Sequence, residues 1–243
     1  EMHHLQPVVY DKKIYILGAL TGPYPGETPV PHIYIYDPEK DVWQKGDAIP
    51  EDRQRGSTGT VVYKNKIYMI CGIKDGHRGD HKKWLDVYDP RTGEWATLPD
   101  APRARDHFQA SVVKNKLYLL GGRRSDAPDN VFGNKEAKVD VYDFKTQTWT
   151  TLEEPLPTTR AGSFNVVLGK QIVVIGGESG DQKLAHNEVE ALDTKTETWT
   201  IFPSLPEGRH GTGAILHKKA VYIASGCGNR GGSPELKTHW RYE

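Results

Sequence analysis

The stretch VDVYDFKTQTW, residues 139–149, joins an alternating apolar strand to a tight turn and then to a tryptophan that opens the next strand. Near-copies stand upstream as IYIYDPEKDVW (33–43) and LDVYDPRTGEW (85–95), and downstream as VEALDTKTETW (189–199). Their tryptophans, Trp43, Trp95, Trp149 and Trp199, lie by subtraction 52, 54 and 50 residues apart. A second landmark keeps the same beat ahead of each: KIYILGA (13–19), KIYMICG (66–72), KLYLLGG (116–122), QIVVIGG (171–177) and AVYIASG (220–226). A period of about 50 residues marks a repeat architecture and takes precedence over any local reading.

Each repeat reads as four short antiparallel strands. In the second repeat these are expected at 58–63, 67–72, 84–88 and 94–98, with Lys64-Asn65 and Asp89-Pro90-Arg91-Thr92-Gly93 as turns. Aspartate first and proline second suit a tight reversal, because one caps backbone donors and the other presets φ. Few apolar positions recur at helical spacing, so almost no helix is expected. Strands such as Leu117-Tyr118-Leu119-Leu120 are apolar on both faces, the mark of a strand covered on both sides. Radially stacked four-stranded sheets meet that requirement, with tryptophan as a spacer between them and the glycine pair allowing close backbone approach.

An apolar strand, a glycine pair, a long loop, Tyr-Asp, five residues and a tryptophan together resemble the kelch repeat, over essentially the whole chain. The departures are Ala19 for a glycine, Leu192 for the tyrosine, and Ser225 and Glu243 in a degenerate fifth copy. The resemblance implies an all-β kelch β-propeller, a single domain over residues 1–243 with five blades of four antiparallel strands. Repeats fall near 1–50, 51–102, 103–157, 158–206 and an incomplete 207–243, whose outer strand is expected from residues ahead of Glu1. A fragment of a six- or seven-bladed ring is the alternative.

Thirty-two basic and 32 acidic residues give a formal charge of zero, which supplies no electrostatic attraction to nucleic acid. No apolar run is long enough to cross a bilayer as a helix, so no membrane insertion is expected. Two cysteines, Cys71 and Cys227, cannot build a disulfide framework and read as reduced thiols. Composition leans to a secreted or periplasmic location, and a cytosolic adaptor fragment would look similar.

Because neighbouring strands are antiparallel, the links between repeats and the loops between second and third strands should emerge on one face. The loops span 20–31, 73–83, 123–138, 178–187 and 227–237, and long loops on a rigid scaffold are where binding concentrates. In the links, Arg55, Arg105, Arg160 and Arg209 each stand 12 residues before the next apolar strand, at Ile67, Leu117, Ile172 and Val221, with Met2 in the equivalent place before Ile14. They read either as ligand-binding guanidiniums suited to carboxylate or sulfate, or as locks on backbone carbonyls and acidic side chains. Residues that break the repeat add His107, His210, Arg123, Arg124 and Arg230 as ligand-binding candidates, with His3 and His4 near the same links. His77, Asp80 and His81 form a metal-type spacing, set against a solvated charged turn.

The function expected is a kelch-type interaction module holding an anionic partner, an acidic protein segment or an acidic glycan, without a cofactor. The resemblance also raises carbohydrate-active enzymes of the mutarotase or galactose-oxidase type. For the first, Glu178 and Glu235 are the candidate acid–base groups; the second implies a copper site of two tyrosines, two histidines and a cysteine–tyrosine crosslink, for which Cys71 and Cys227 are cysteines by type only.

Overall fold

The computed structural model describes residues 1–242; Glu243, which stands where the repeat expects an aspartate, lies outside the described residues. The chain is all-β, five antiparallel sheets in series that form the blades of a β-propeller, with one 3-10 turn at Glu51–Arg53 among the described residues. Two compact units divide it, Glu1–His107 with Arg124–Asn130, and Phe108–Arg123 with Val131–Glu243.

The first unit holds two blades. Val8–Tyr10, Lys13–Ile16, His32–Asp37 and Val42–Ala48 pair in that order, and Gly59–Tyr63, Lys66–Ile70, Leu85–Asp89 and Glu94–Leu98 make the second. The expected strands of the second repeat are thus correct to within two residues at each end. The second unit holds the third and fourth blades, ending in Thr148–Thr151 and Thr198–Phe202, and a fifth of three strands, Ala214–His217, Ala220–Ala224 and His239–Tyr242.

Register explains the repeated sequence. Tyr88 faces Trp95 and Tyr142 faces Trp149 across the last hairpin of their blades, with ring centroids 5.0 Å apart in both pairs. Trp95 then packs on a buried cluster drawn from two blades: Tyr15, Leu17, Ile33 and Ile49 of the first with Ile67, Met69 and Tyr88 of the second. Trp199 does the same against Val113, Tyr118 and Val141 of the third blade and Ile172, Val174 and Leu192 of the fourth. Both therefore act as the expected spacers, adding aromatic area where two sheet faces meet. Trp43 does not: it is 56% exposed, on a strand whose residues mostly face solvent, and stacks on Tyr36.

The glycine pair has a steric cause. Gly176 and Gly177 have φ of +60° and +122°, and a Cβ on Gly177 would stand 2.8 Å from the Ala161 carbonyl oxygen. The chain turns sharply there while a link passes against it, a combination that favours glycine.

Candidate functional site

In each of four blades a short bridge ties the incoming link to the residue after the glycine pair: His3 with Leu20, Gly56 with Ile73, Ala161 with Glu178 and His210 with Cys227. Link and loop thus emerge together within a blade, as antiparallel order requires. The loops also pack on their neighbours in series. In the first unit the His77 N–H donates to the Pro25 carbonyl at 3.0 Å. In the second, the Gly180 N–H donates to Phe132 and the Arg230 N–H to Lys183.

Arg55, Arg105, Arg160 and Arg209 are all fully buried. Arg160 donates from Nε to the Gly176 carbonyl at 2.6 Å, from Nη1 to the Thr158 carbonyl and to Glu190, and from Nη2 to the Val174 carbonyl at 3.2 Å. Arg55 repeats the pattern on Cys71, Arg53, Met69 and Asp86. Arg209 donates to the Ser225 and Thr238 carbonyls. The left-handed turn at each strand end withdraws carbonyls from the ladder, and buried carbonyls need donors. In these three blades the guanidinium supplies them, the geometry of the locking reading.

The links hold a second register, two residues after the arginine site. His4, Ser57, His107, Gly162 and Gly211 stand there, all with positive φ, at 52°, 55°, 51°, 59° and 65°. Glycine adopts this conformation freely, whereas a histidine in it is strained and points to a local constraint. In the first unit these two histidines meet a third from the loop. Ring centroids are 4.6 Å apart for His4 and His107, 4.7 Å for His77 and His107, and 5.0 Å for His4 and His77. His3 stacks edge-on against His4 at 4.7 Å, and Tyr24, 61% exposed, stands 5.1 Å from His77.

Buried carboxylates stand beside two of the rings. His77 Nδ1 is 2.8 Å from Glu27 Oε1, and His107 Nδ1 is 2.5 Å from Asp106 Oδ1 and 3.1 Å from Ser57 Oγ. Asp106 is itself held by the Ser125 N–H at 3.0 Å and the Ser125 hydroxyl at 2.7 Å, with His81 Nε2 at 3.3 Å. The His77, Asp80 and His81 set is therefore not one cluster. His77 joins His4 and His107, His81 turns to Asp106 and the Ser125 carbonyl, and exposed Asp80 pairs with Lys82. Residues three or four apart diverge on this hairpin, because Gly79 and His81 belong to a returning strand.

In the second unit several sequence candidates do converge. Arg123, 2% exposed, donates from Nη1 to Glu178 Oε1 at 2.5 Å, and Glu178 Oε2 accepts from the Gly231 N–H at 2.7 Å. His210 Nε2 lies 3.5 Å from that oxygen and within 2.7 and 2.8 Å of the Asn229 and Gly231 carbonyls, so Nε2 carries the proton. Burial pushes the Glu178 carboxyl up, but Arg123, His210 and the Gly231 N–H outweigh it, and the net shift is downward. An acid so held is ionised at neutral pH and is a charge partner rather than a proton donor. Glu235 is exposed and bridges Cys227 through its backbone. Arg230 is exposed, with its guanidinium 5.6 Å above the Phe132 ring and Nη1 donating to the Gly180 carbonyl at 3.0 Å; Arg124 is exposed as well. Beside Arg230, Lys183 and Leu184 face solvent, Leu184 at 68%, held by the Leu184–Asn229 bridge.

Neither cysteine is in a disulfide. Cys71 turns its Sγ toward the Arg103 carbonyl at 3.5 Å, and burial, with Glu235 and Glu178 nearby, pushes the Cys227 thiol up. The donor set gathered here is imidazole and carboxylate, unlike the cysteine–tyrosine copper set of galactose oxidase. No helix is long and apolar enough to cross a membrane among the described residues.

The sequence reading named His4, His77 and His107 separately and passed over Glu27, Ser57 and Asp106. The signal for the links was the position two residues after the arginine site, where glycine, serine and histidine alternate between repeats.

Comparison with known proteins matches residues 84–242 to the KLHDC2/KLHL20/DRC7 Kelch-repeats domain and residues 54–102 to the Kelch motif. The chain is 34% identical to Kelch-like protein terF of Aspergillus terreus, over 93% of this chain and 50% of that protein. It is 26% identical to human Kelch-like protein 23, over 82% of this chain and 34% of that one. It thus spans half or less of the length of these relatives. Among solved structures, one described as the structure of YjhT superposes with a TM-score of 0.80 at 16% identity, covering 97% of this chain and 80% of that one, a likeness of fold.

Proposed function

The chain belongs to the kelch-repeat family, and from that premise we propose that it is an interaction module whose loops hold an acidic segment of a protein partner. The observation that carries the proposal is the contrast between its arginines. Arg55, Arg160 and Arg209, buried in the links, are committed to carbonyls and acids inside their blades, whereas Arg230 stands exposed, braced by Phe132 and Gly180, beside exposed Lys183 and Leu184. Two cations flanking an apolar residue suit an acidic peptide that carries one apolar side chain, and a braced guanidinium loses little freedom on binding a carboxylate. An acidic glycan offers the same charge without the apolar contact. The catalytic reading has less support, because both Glu178 oxygens are already taken, by Arg123 and the Gly231 N–H, and Glu235 is exposed.

The test is an array of acidic peptides, charge-neutral peptides and acidic glycans, read with a salt titration. Acidic peptides should bind, weaken as salt screens the contact, and lose at least about tenfold in affinity when Arg230→Glu and Lys183→Glu are combined. Equal binding of neutral peptides, or indifference to the double reversal, would overturn the assignment.

A further inference from the structure

The geometry points to a second site: His4, His77 and His107 form a three-imidazole site for a divalent transition-metal ion of the zinc and copper class. Three observations in the first unit converge on it.

The first is proximity. Each of the three residues offers one ligand atom, and these lie within 4.8 Å of one another. Nitrogens bound to one ion at about 2.0–2.1 Å lie roughly 3.4 Å apart in a tetrahedral site, so modest side-chain rotation closes the distance. The ligands come from two links and one loop, two of them buried and His4 half-buried, which leaves an approach on the His4 side.

The second is the shell behind the rings. A metal-binding histidine ordinarily gives its other ring nitrogen to a carboxylate or carbonyl, which fixes the tautomer and raises ligand basicity. Here His107 Nδ1 is hydrogen-bonded to buried Asp106, while His77 Nδ1 lies at ion-pair distance, 2.8 Å, from buried Glu27 and His4 Nδ1 lies 2.6 Å from His3 Nδ1. For His107 this leaves Nε2 as the nitrogen that would coordinate the ion. Asp106 is anchored by Ser125, so the orientation is built into the fold.

The third is backbone cost. His4 and His107 occupy left-handed positions where the fourth and fifth repeats use Gly162 and Gly211. Outside the hairpin turns, a side chain in that conformation carries a backbone cost that its surroundings must offset. Imidazole ligands select zinc and copper over the oxygen-preferring magnesium and calcium.

The experiment uses the full, tag-free chain, stripped with a chelator and dialysed against zinc or copper, with bound metal measured by mass spectrometry. About one ion per chain should remain, magnesium and calcium should not be retained, and the copper form should show imidazole nitrogen couplings in its electron paramagnetic resonance spectrum. His77→Ala should abolish retention. His4→Ala, at a half-exposed position that leaves the core intact, should weaken it at least about tenfold, and Glu27→Gln should weaken it by about 10–100-fold. Failure to retain zinc or copper, equal retention of calcium, or unchanged affinity in His4→Ala would overturn the site.

Discussion

Replacing Arg123 by methionine is expected to lower stability at pH 7 by ~3–5 kcal/mol, the cost of leaving one member of a buried ion pair alone. Arg123 and Glu178 are 2% and 3% exposed, and the substitution keeps much of the side-chain volume while removing the charge. The sign of the pH dependence identifies the group responsible. In the native chain the folded Glu178 carboxyl titrates below its ordinary range, so its contribution is present above the unfolded value of about 4.3 and is lost as pH falls through the lower folded value. In the variant, burial persists without Arg123, and the folded value rises above the unfolded one. Its penalty then shrinks as pH falls toward about 4.3. Urea unfolding of both proteins at pH 7 and at pH 5 should show the gap narrowing on acidification. A gap of constant size would mean that Glu178 is not the charge left unpaired.

Phe164→Ala should cost a similar ~3–5 kcal/mol, through a different mechanism. Phe164 is fully buried in a cluster drawn from the fourth blade, Val166, Val173, Ile175, Val189, Ala191 and Leu205, and from Ile223 of the fifth. Truncation leaves a cavity between two sheets whose strands are already hydrogen-bonded and cannot close on it. Because this loss comes from packing, it should be the same at pH 7 and pH 5, which sets it apart from the Arg123 variant. A change within about 0.5 kcal/mol, the scale of a surface substitution, would contradict the placement of this cluster between blades.

The two variants separate what the repeated residues do from what the irregular ones do. Residues at one position in successive blades, such as Arg55 and Arg160, answer a need that recurs from blade to blade, the carbonyls freed by the turn at the strand end. Residues that break the pattern, such as Arg123, His77 and Arg230, answer no such need, and all three lie in the loops. The proposed interaction surface and the imidazole cluster both draw on this second class.

The fold was legible in the sequence because the repeat period and the two-faced apolar strands constrain sheet stacking directly. VDVYDFKTQTW and its copies are correctly read as the third strand, turn and fourth strand of a blade, since cross-strand register follows from period-two alternation and turn length. The face on which links and loops emerge followed from antiparallel order alone. The exposure of Trp43 did not follow, because a spacer needs a packed neighbour and the motif carries no record of one.

The sites divide along the same line. Sequence alone determined which residues could carry charge or bind a metal, because residue type and loop membership are local properties. Only the tertiary structure decided which of them meet: Glu27 and His77 lie 50 positions apart, Ser57 and His107 likewise, and Arg123 and Glu178 are separated by 55. These distances match the repeat period, since equivalent positions in successive blades become neighbours when the sheets stack. Side-chain direction then sorts them, and no one-dimensional spacing encodes it: His77 and His81 share one loop, yet the returning strand sends the first to His4 and His107 and the second to Asp106.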